Sequence, residues 1–213
     1  MEFPPHLFDE PPLDPDTFAN LGPLRGLAGR WRGEAGIDVK PTEDGGRTQV
    51  YVEDMLLEPI DGQTNGPQLL YGLRYHTHIV KPGEVETYHD QVGYWLWEPA
   101  TGAVMLTLAI PRGQSLLAVG QAKADDKSFT VTAERGLTSF GITSNAFLEE
   151  NFRTSSFTMT VTVNDDDSWS YHEETILKIK GVPELFSHTD QHRLERTAPP
   201  ALNPLAAAAA AAK

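Results

Sequence analysis

From Gly29 onward, apolar and polar side chains alternate every second residue, which is the period of a β-strand with one buried face. The clearest example is residues 156–163, where Phe157, Met159 and Val161 share one face and the threonines share the other. Turn signals rich in Gly, Pro, Asp and Asn separate ten such segments. The pattern therefore predicts ten strands, over residues 29–39, 47–57, 68–80, 84–98, 103–110, 114–124, 128–133, 156–164, 168–179 and 188–197.

Short strands joined by tight turns, with no alternation of strands and helices, predict an all-β fold. We expect a ten-stranded, up-and-down antiparallel β-barrel, because closing the sheet removes its exposed edges. A barrel of this size can enclose one ligand. Asp16 is a suitable N-cap for a short N-terminal helix that Gly22-Pro23 would end. We divide the chain into an extended, Pro-rich arm (1–20), a single barrel domain (21–199) and a disordered, Ala-rich tail (200–213).

Charge and composition exclude several classes of function. The net charge is −13 and no cluster of Lys or Arg is present, so a nucleic-acid partner is not expected. The absence of cysteine excludes disulfides and thiolate ligands. No apolar run approaches the roughly 20 residues of a membrane span, and the first 16 residues do not form a signal peptide. These features predict a cytoplasmic protein without a membrane partner.

The last predicted strand carries an unusual polar face. His188, Asp190 and His192 are spaced two apart, so all three point to the same side of a strand. The opposite side, with Thr189, Gln191, Arg193 and Glu195, suits water, which makes the histidine side the inner one. Two imidazoles and a carboxylate could bind a metal or a haem iron, or could only hydrogen-bond to one another. Asp190 is also suited to orient a ligating imidazole.

A second group of histidines lies in the middle of the chain. His76 and His78 share one face of a predicted strand, and His89 follows on the next strand after the Lys81-Pro82-Gly83 turn. If that turn is tight, His76 lies opposite His89. The three imidazoles and a C-terminal histidine would then form a mononuclear metal site. The alternative is a solvated histidine patch on the outer face.

Three segments carry a resemblance to a known family. Residues 27–36, LAGRWRGEAG, resemble the GxWxGxG opening of the nitrobindin family, the haem barrels that are similar to fatty-acid-binding proteins. Residues 89–95, HDQVGYW, resemble that family's HxExGY segment. The closing strand resembles the one that provides the proximal haem ligand. The resemblance covers roughly residues 24–199.

This resemblance implies a haem b in one mouth of the barrel, with His188 or His192 as the axial ligand and His76 or His78 on the distal side. It also implies nitric oxide binding or isomerisation of peroxynitrite, and thus an isomerase activity. A second copy of the chain, in a homodimer, is an alternative partner. In barrels of this type Trp31 would pack under Arg196 or Arg193 at the closed end.

Two alternatives remain beside the haem protein. One is a haem-free barrel that binds a small apolar ligand between Phe157, Met159, Trp95 and Leu108. The other is a protein with a histidine-ligated mononuclear metal ion formed by His76, His78, His89 and His188. An absorbance spectrum together with the metal content would distinguish them, since a bare metal gives no porphyrin absorbance.

Overall fold

A computed structural model describes residues 3–212. These residues form twelve strands, two short 3₁₀ helices and two α-helices. The strands are β1 (Gly29–Thr42), β2 (Gly45–Pro59), β3 (Gln63–Asn65), β4 (Gln68–Val80), β5 (Thr87–Glu98), β6 (Ala103–Ile110), β7 (Gln114–Gln121), β8 (Ser128–Arg135), β9 (Gly141–Ser144), β10 (Phe152–Val163), β11 (Ser168–Ile179) and β12 (Phe186–Ala198). The helices are η1 (Phe18–Asn20), η2 (Gly22–Leu27), α1 (Ala146–Asn151) and α2 (Pro204–Ala211).

Eleven of these strands form a closed barrel. Around the wall the order is β2, β1, β12, β11, β10, β8, β9, β7, β6, β5 and β4, and pairing of β4 with β2 closes the ring. The three-residue β3 pairs only with β4, outside the ring. The all-β barrel is confirmed, but the count of ten strands was wrong. The extra strand is β9. It lies within a segment rich in Gly, Ser and Asn and is too short to show a period-two pattern of apolar and polar residues.

β9 also breaks the purely antiparallel pattern. It runs parallel to β8 and antiparallel to β7, filling the place where those two strands diverge after a single paired position. The helix α1 follows, N-capped by Asn145, whose side chain accepts a hydrogen bond from the Leu148 amide. Every other neighbouring pair of strands described in the ring is antiparallel.

One end of the barrel is sealed by the segment before β1. The expected N-terminal helix is instead the two 3₁₀ turns, since Gly22 adopts a positive φ and Pro23 follows it. Leu21, Leu24 and Leu27 are fully buried, and Gly26 packs so closely on Val163 that a Cβ there would come within 2.5 Å of that side chain. We call this the closed end.

The closed end contains the predicted tryptophan–arginine pair. The Arg196 guanidinium carbon lies 4.0 Å from the centre of the Trp31 ring, and the Trp31 indole N–H donates to the Leu27 carbonyl at 2.7 Å. Arg196 also donates to the backbone carbonyls of Ala28 and Gly26. Arg193 instead points outward to Asp166. The prediction that Arg196 packs over Trp31 is confirmed.

The Ala-rich segment is not a disordered tail in this structure. Residues 204–211 form α2, which docks on the barrel through the buried Ala206. The buried Asn203 joins this segment to the N-terminal arm, accepting a hydrogen bond from the Thr17 amide and donating to the Pro15 carbonyl. None of the helices described for residues 3–212 is long and apolar enough to cross a membrane.

Candidate functional site at the open end of the barrel

The other end of the barrel, where β12 begins and β1, β4 and β11 end, is lined by polar side chains; we call it the open end. Its most distinctive feature is a row of three carboxylates. Asp38 on β1 pairs directly with Asp190 on β12, and Asp190 pairs directly with Glu173 on β11. Directly paired residues share a face, and in these strands it is the interior face. We call Asp38, Asp190 and Glu173 the carboxylate row.

His188 lies one step nearer to solvent than the carboxylate row. Its side chain is 30% exposed, and its Nε2–H donates to Asp38 Oδ1 at 2.8 Å. The same nitrogen lies 3.5 Å from Asp190 Oδ2. One ligand atom from each of His188, Asp38 and Asp190 falls within 4.8 Å of the other two. Tyr88 reaches across the mouth and donates its hydroxyl hydrogen to the second oxygen of Asp38.

A second polar layer lies deeper in the barrel. His192 Nδ1–H donates to Glu53 Oε2 at 2.8 Å, and the Tyr171 hydroxyl donates to the same oxygen at 2.9 Å. The Tyr51 and Tyr171 hydroxyls are 2.9 Å apart. Glu53 is 1% exposed and His192 is 6% exposed. Glu53 Oε1 and His192 Nε2 have no hydrogen-bond partner in the described chain, and neither has Thr77 Oγ1 on β4, the strand paired with that of Glu53.

The protonation states at the open end follow from burial and mutual repulsion. Burial and the charge of Asp190 raise the pKa of Glu173 well above its usual value. Burial, followed by the charge of Asp38, raises the pKa of Asp190 to about 7. Burial would raise the pKa of Asp38 too, but hydrogen bonds from His188 and Tyr88 hold it below its ordinary value. The wall thus holds more carboxylates than it stabilises as anions.

The pKa of His188 is also raised, but by its carboxylate neighbours and against the effect of burial. Burial lowers it, but the Asp38 hydrogen bond and the charges of Asp190 and Asp38 outweigh burial, so the net shift is upward. Three positive charges lie beside Tyr88: Lys40 and Lys81, whose Nζ atoms are 4.8 Å and 5.8 Å from its ring centre, and Arg112, which donates to its backbone carbonyl at 3.5 Å.

The structure does not bring the central histidines together. His76 and His78 point outward from β4, where His76 Nε2 lies 2.9 Å from Asp90 and His78 Nε2 lies 3.0 Å from the Thr87 hydroxyl. His76 borders an outer-face hollow of about 480 Å³. His89 faces the interior, where burial lowers its pKa and where its Nε2 lies 3.3 Å from Gln91.

The prediction was wrong because it assumed a tight turn between β4 and β5, and the turn in the structure is longer. β4 ends at Val80 and β5 begins only at Thr87, with an irregularity that shifts the register between Ile79 and Val80. His89 therefore pairs with Ile79 and not with His76. The four-histidine set of His76, His78, His89 and His188 is divided between the two faces of the wall.

His192 is also poorly placed as an axial ligand. Its Nε2 lies against Gly33, where an added Cβ would come within 2.3 Å of it. Its Nδ1 is bound to Glu53. Of the two histidines on β12, His188 is therefore the one nearer the mouth and solvent.

The proposed apolar cavity is filled by protein. Phe157, Met159, Trp95 and Leu108 are all at most 7% exposed and belong to one contiguous core with the closed end. Their burial within this core makes these four side chains ordinary core residues.

Sequence reasoning missed Asp38, Glu53 and Glu173. Glu53 and Glu173 were detectable, because each interrupts an apolar series of the right period: Tyr51, Met55 and Leu57 in β2, and Trp169 and Tyr171 in β11. Asp38 was not, because a bulge between Gly33 and Gly36 reverses the alternation within β1.

Comparison with known proteins places this barrel in a family. The sequence profile of the THAP4-like, heme-binding beta-barrel domain matches residues 20–196, so the chain belongs to that family. The same fold occurs in the crystal structure of Rv2717c from M. tuberculosis, with a TM-score of 0.58 and 22% sequence identity over 87% of this chain and 99% of that one. No curated protein sequence matches this chain.

The residues at the open end fit a haem only in part. His188 is an inward imidazole close to solvent, as an axial ligand requires. Its Nε2, however, is bound to Asp38, and the carboxylate row lies directly beneath it. A porphyrin is a flat, largely apolar ring with two carboxylates of its own, and it would add negative charge to a wall that already has an excess. The surroundings of His188 therefore fit haem only in part: the imidazole is well placed, but its carboxylate neighbours are not.

Proposed function

We propose that this member of the heme-binding barrel family binds a small positively charged ligand at its open end. The carboxylate row is the observation that supports this proposal. Like charges directly opposite one another in a sheet are destabilising, and buried charges are costly without a partner. A cation bound between Asp38 and Asp190 would remove both costs.

Calorimetric titration tests the proposal with two chemically different cations, Zn²⁺ and methylammonium. At least one of them should bind, and Asp190→Asn should weaken that binding by about tenfold or more, equivalent to about 1.4 kcal/mol. Asp90→Asn is the matched control, because Asp90 also lies beside a histidine, His76, but on the outer face. If neither cation binds, or if both variants bind equally well, the proposal is wrong.

A second candidate is a haem b held by His188, with nitric oxide or peroxynitrite as the small-molecule partner. Membership of a heme-binding family favours it. Hemin added to the purified protein would then give a Soret shift that His188→Ala abolishes and that His76→Ala leaves unchanged. A wild-type spectrum that is identical to that of free hemin would count against this candidate.

A further inference from the structure

We propose that the ligand is a divalent first-row transition-metal ion coordinated by Asp38, His188 and Asp190. This inference rests on the cation site proposed above. The deeper pair of Glu53 and His192 would lie outside this site.

The spacing of the three ligand atoms matches a single ion. At metal–ligand bond lengths of about 2.0–2.2 Å, two ligands of a tetrahedral ion lie about 3.4 Å apart. The distances from His188 Nε2 are 2.8 Å to Asp38 Oδ1 and 3.5 Å to Asp190 Oδ2. Small changes in side-chain torsion would therefore open the site around an ion without moving β1 or β12.

The ligand types indicate the class of metal. Two carboxylates balance the charge of a divalent ion. One imidazole favours Zn²⁺, Fe²⁺ or Co²⁺ over Mg²⁺ and Ca²⁺, which prefer oxygen ligands. Three protein ligands leave at least one position open for water or a substrate, as in catalytic metal sites. The 30% exposure of His188 gives that position access to solvent.

The surroundings supply the outer contacts that metal ligands usually have. Tyr88 binds the oxygen of Asp38 that faces away from His188, which would fix the orientation of that carboxylate. Glu173 lies directly beside Asp190 and would be a third carboxylate next to the ion.

Cobalt substitution tests this inference directly. Co²⁺ added to the purified protein should give visible d–d absorption bands and a saturable calorimetric signal. His188→Ala and Asp190→Asn should each reduce the affinity by more than the roughly 10- to 100-fold that loss of an outer contact causes, and Tyr88→Phe should reduce it within that range. Thermal unfolding of each variant checks that it folds. If His188→Ala does not fold, the isosteric variant Asp190→Asn still tests the site.

His76→Ala is the matched control, because that imidazole also lies beside an aspartate, on the outer face. Binding that His76→Ala abolishes and His188→Ala preserves would overturn the inference, as would the absence of Co²⁺ binding. If methylammonium binds and depends on Asp190 while Co²⁺ does not bind, the metal inference fails but the cation site survives. If neither binds, both fail.

Discussion

The two ends of this barrel are built on the same strands but in opposite ways. At the closed end, Trp31 and Trp169 are fully buried, and their ring centres are 6.3 Å apart at an angle of 88°. Arg196 at this end lies over an aromatic ring, bonds to backbone carbonyls and pairs with the exposed Asp167. At the open end, the same strands β1, β11 and β12 place three carboxylates side by side. The closed end buries apolar surface around one compensated charge, whereas the open end holds like charges side by side at a cost in stability.

The largest expected effect is at the closed end. Trp169→Ala should lower the free energy of unfolding by about 3–5 kcal/mol, because it leaves a cavity in a fully packed core. Tyr94→Ala, on the outer face and 42% exposed, is the control and should cost within about 0.5 kcal/mol. Urea denaturation measures both. A loss below about 1 kcal/mol for Trp169→Ala would mean that the closed end is not where the stability resides.

Removing a carboxylate from the open end should have the opposite effect and raise the free energy of unfolding. The raised pKa of Glu173 means that the folded protein binds a proton more tightly than the unfolded chain does. Stability is therefore lost as the pH rises from the ordinary glutamate value toward the raised pKa. Glu173→Gln removes this loss, so it should stabilise the protein at pH 8 and have less effect at pH 4.

Glu174→Gln is the control for that experiment, because Glu174 is the next residue and its carboxylate accepts a hydrogen bond from the Ser187 hydroxyl. It should change stability by little and equally at both pH values. Destabilisation of the protein by Glu173→Gln at pH 8 would show that the carboxylate row is internally compensated.

A smaller effect separates the two arginines of β12. Arg196→Lys should cost about 1 kcal/mol, because lysine cannot both cover the Trp31 ring and bond to two carbonyls. Arg193→Lys, in an exposed pair with Asp166, should cost less than about 0.5 kcal/mol. Equal melting temperatures for the two variants would argue against the closing role of Arg196.

The sequence predicts the fold well because strand alternation persists along most of the chain. Period-two patterns and turn residues locate ten barrel strands to within a few residues, and the GxW segment correctly indicates the Trp31–Arg196 contact. The site is harder to predict because it depends on which face of its strand each residue occupies. One bulge in β1 turns Asp38 inward, and one longer turn after Val80 separates His89 from His76. The local sequence gives no recognisable signal for either the bulge or the longer turn.

The most direct test of the contrast between the two ends is the free energy of unfolding of wild type and Asp190→Asn, each measured with and without Zn²⁺. Without the ion, Asp190→Asn should be the more stable protein, because it relieves repulsion within the carboxylate row. With Zn²⁺ at 100 times its dissociation constant, wild type should gain about 2.7 kcal/mol and become the more stable of the two. The same order of stability in both conditions would contradict a carboxylate row built to hold a cation.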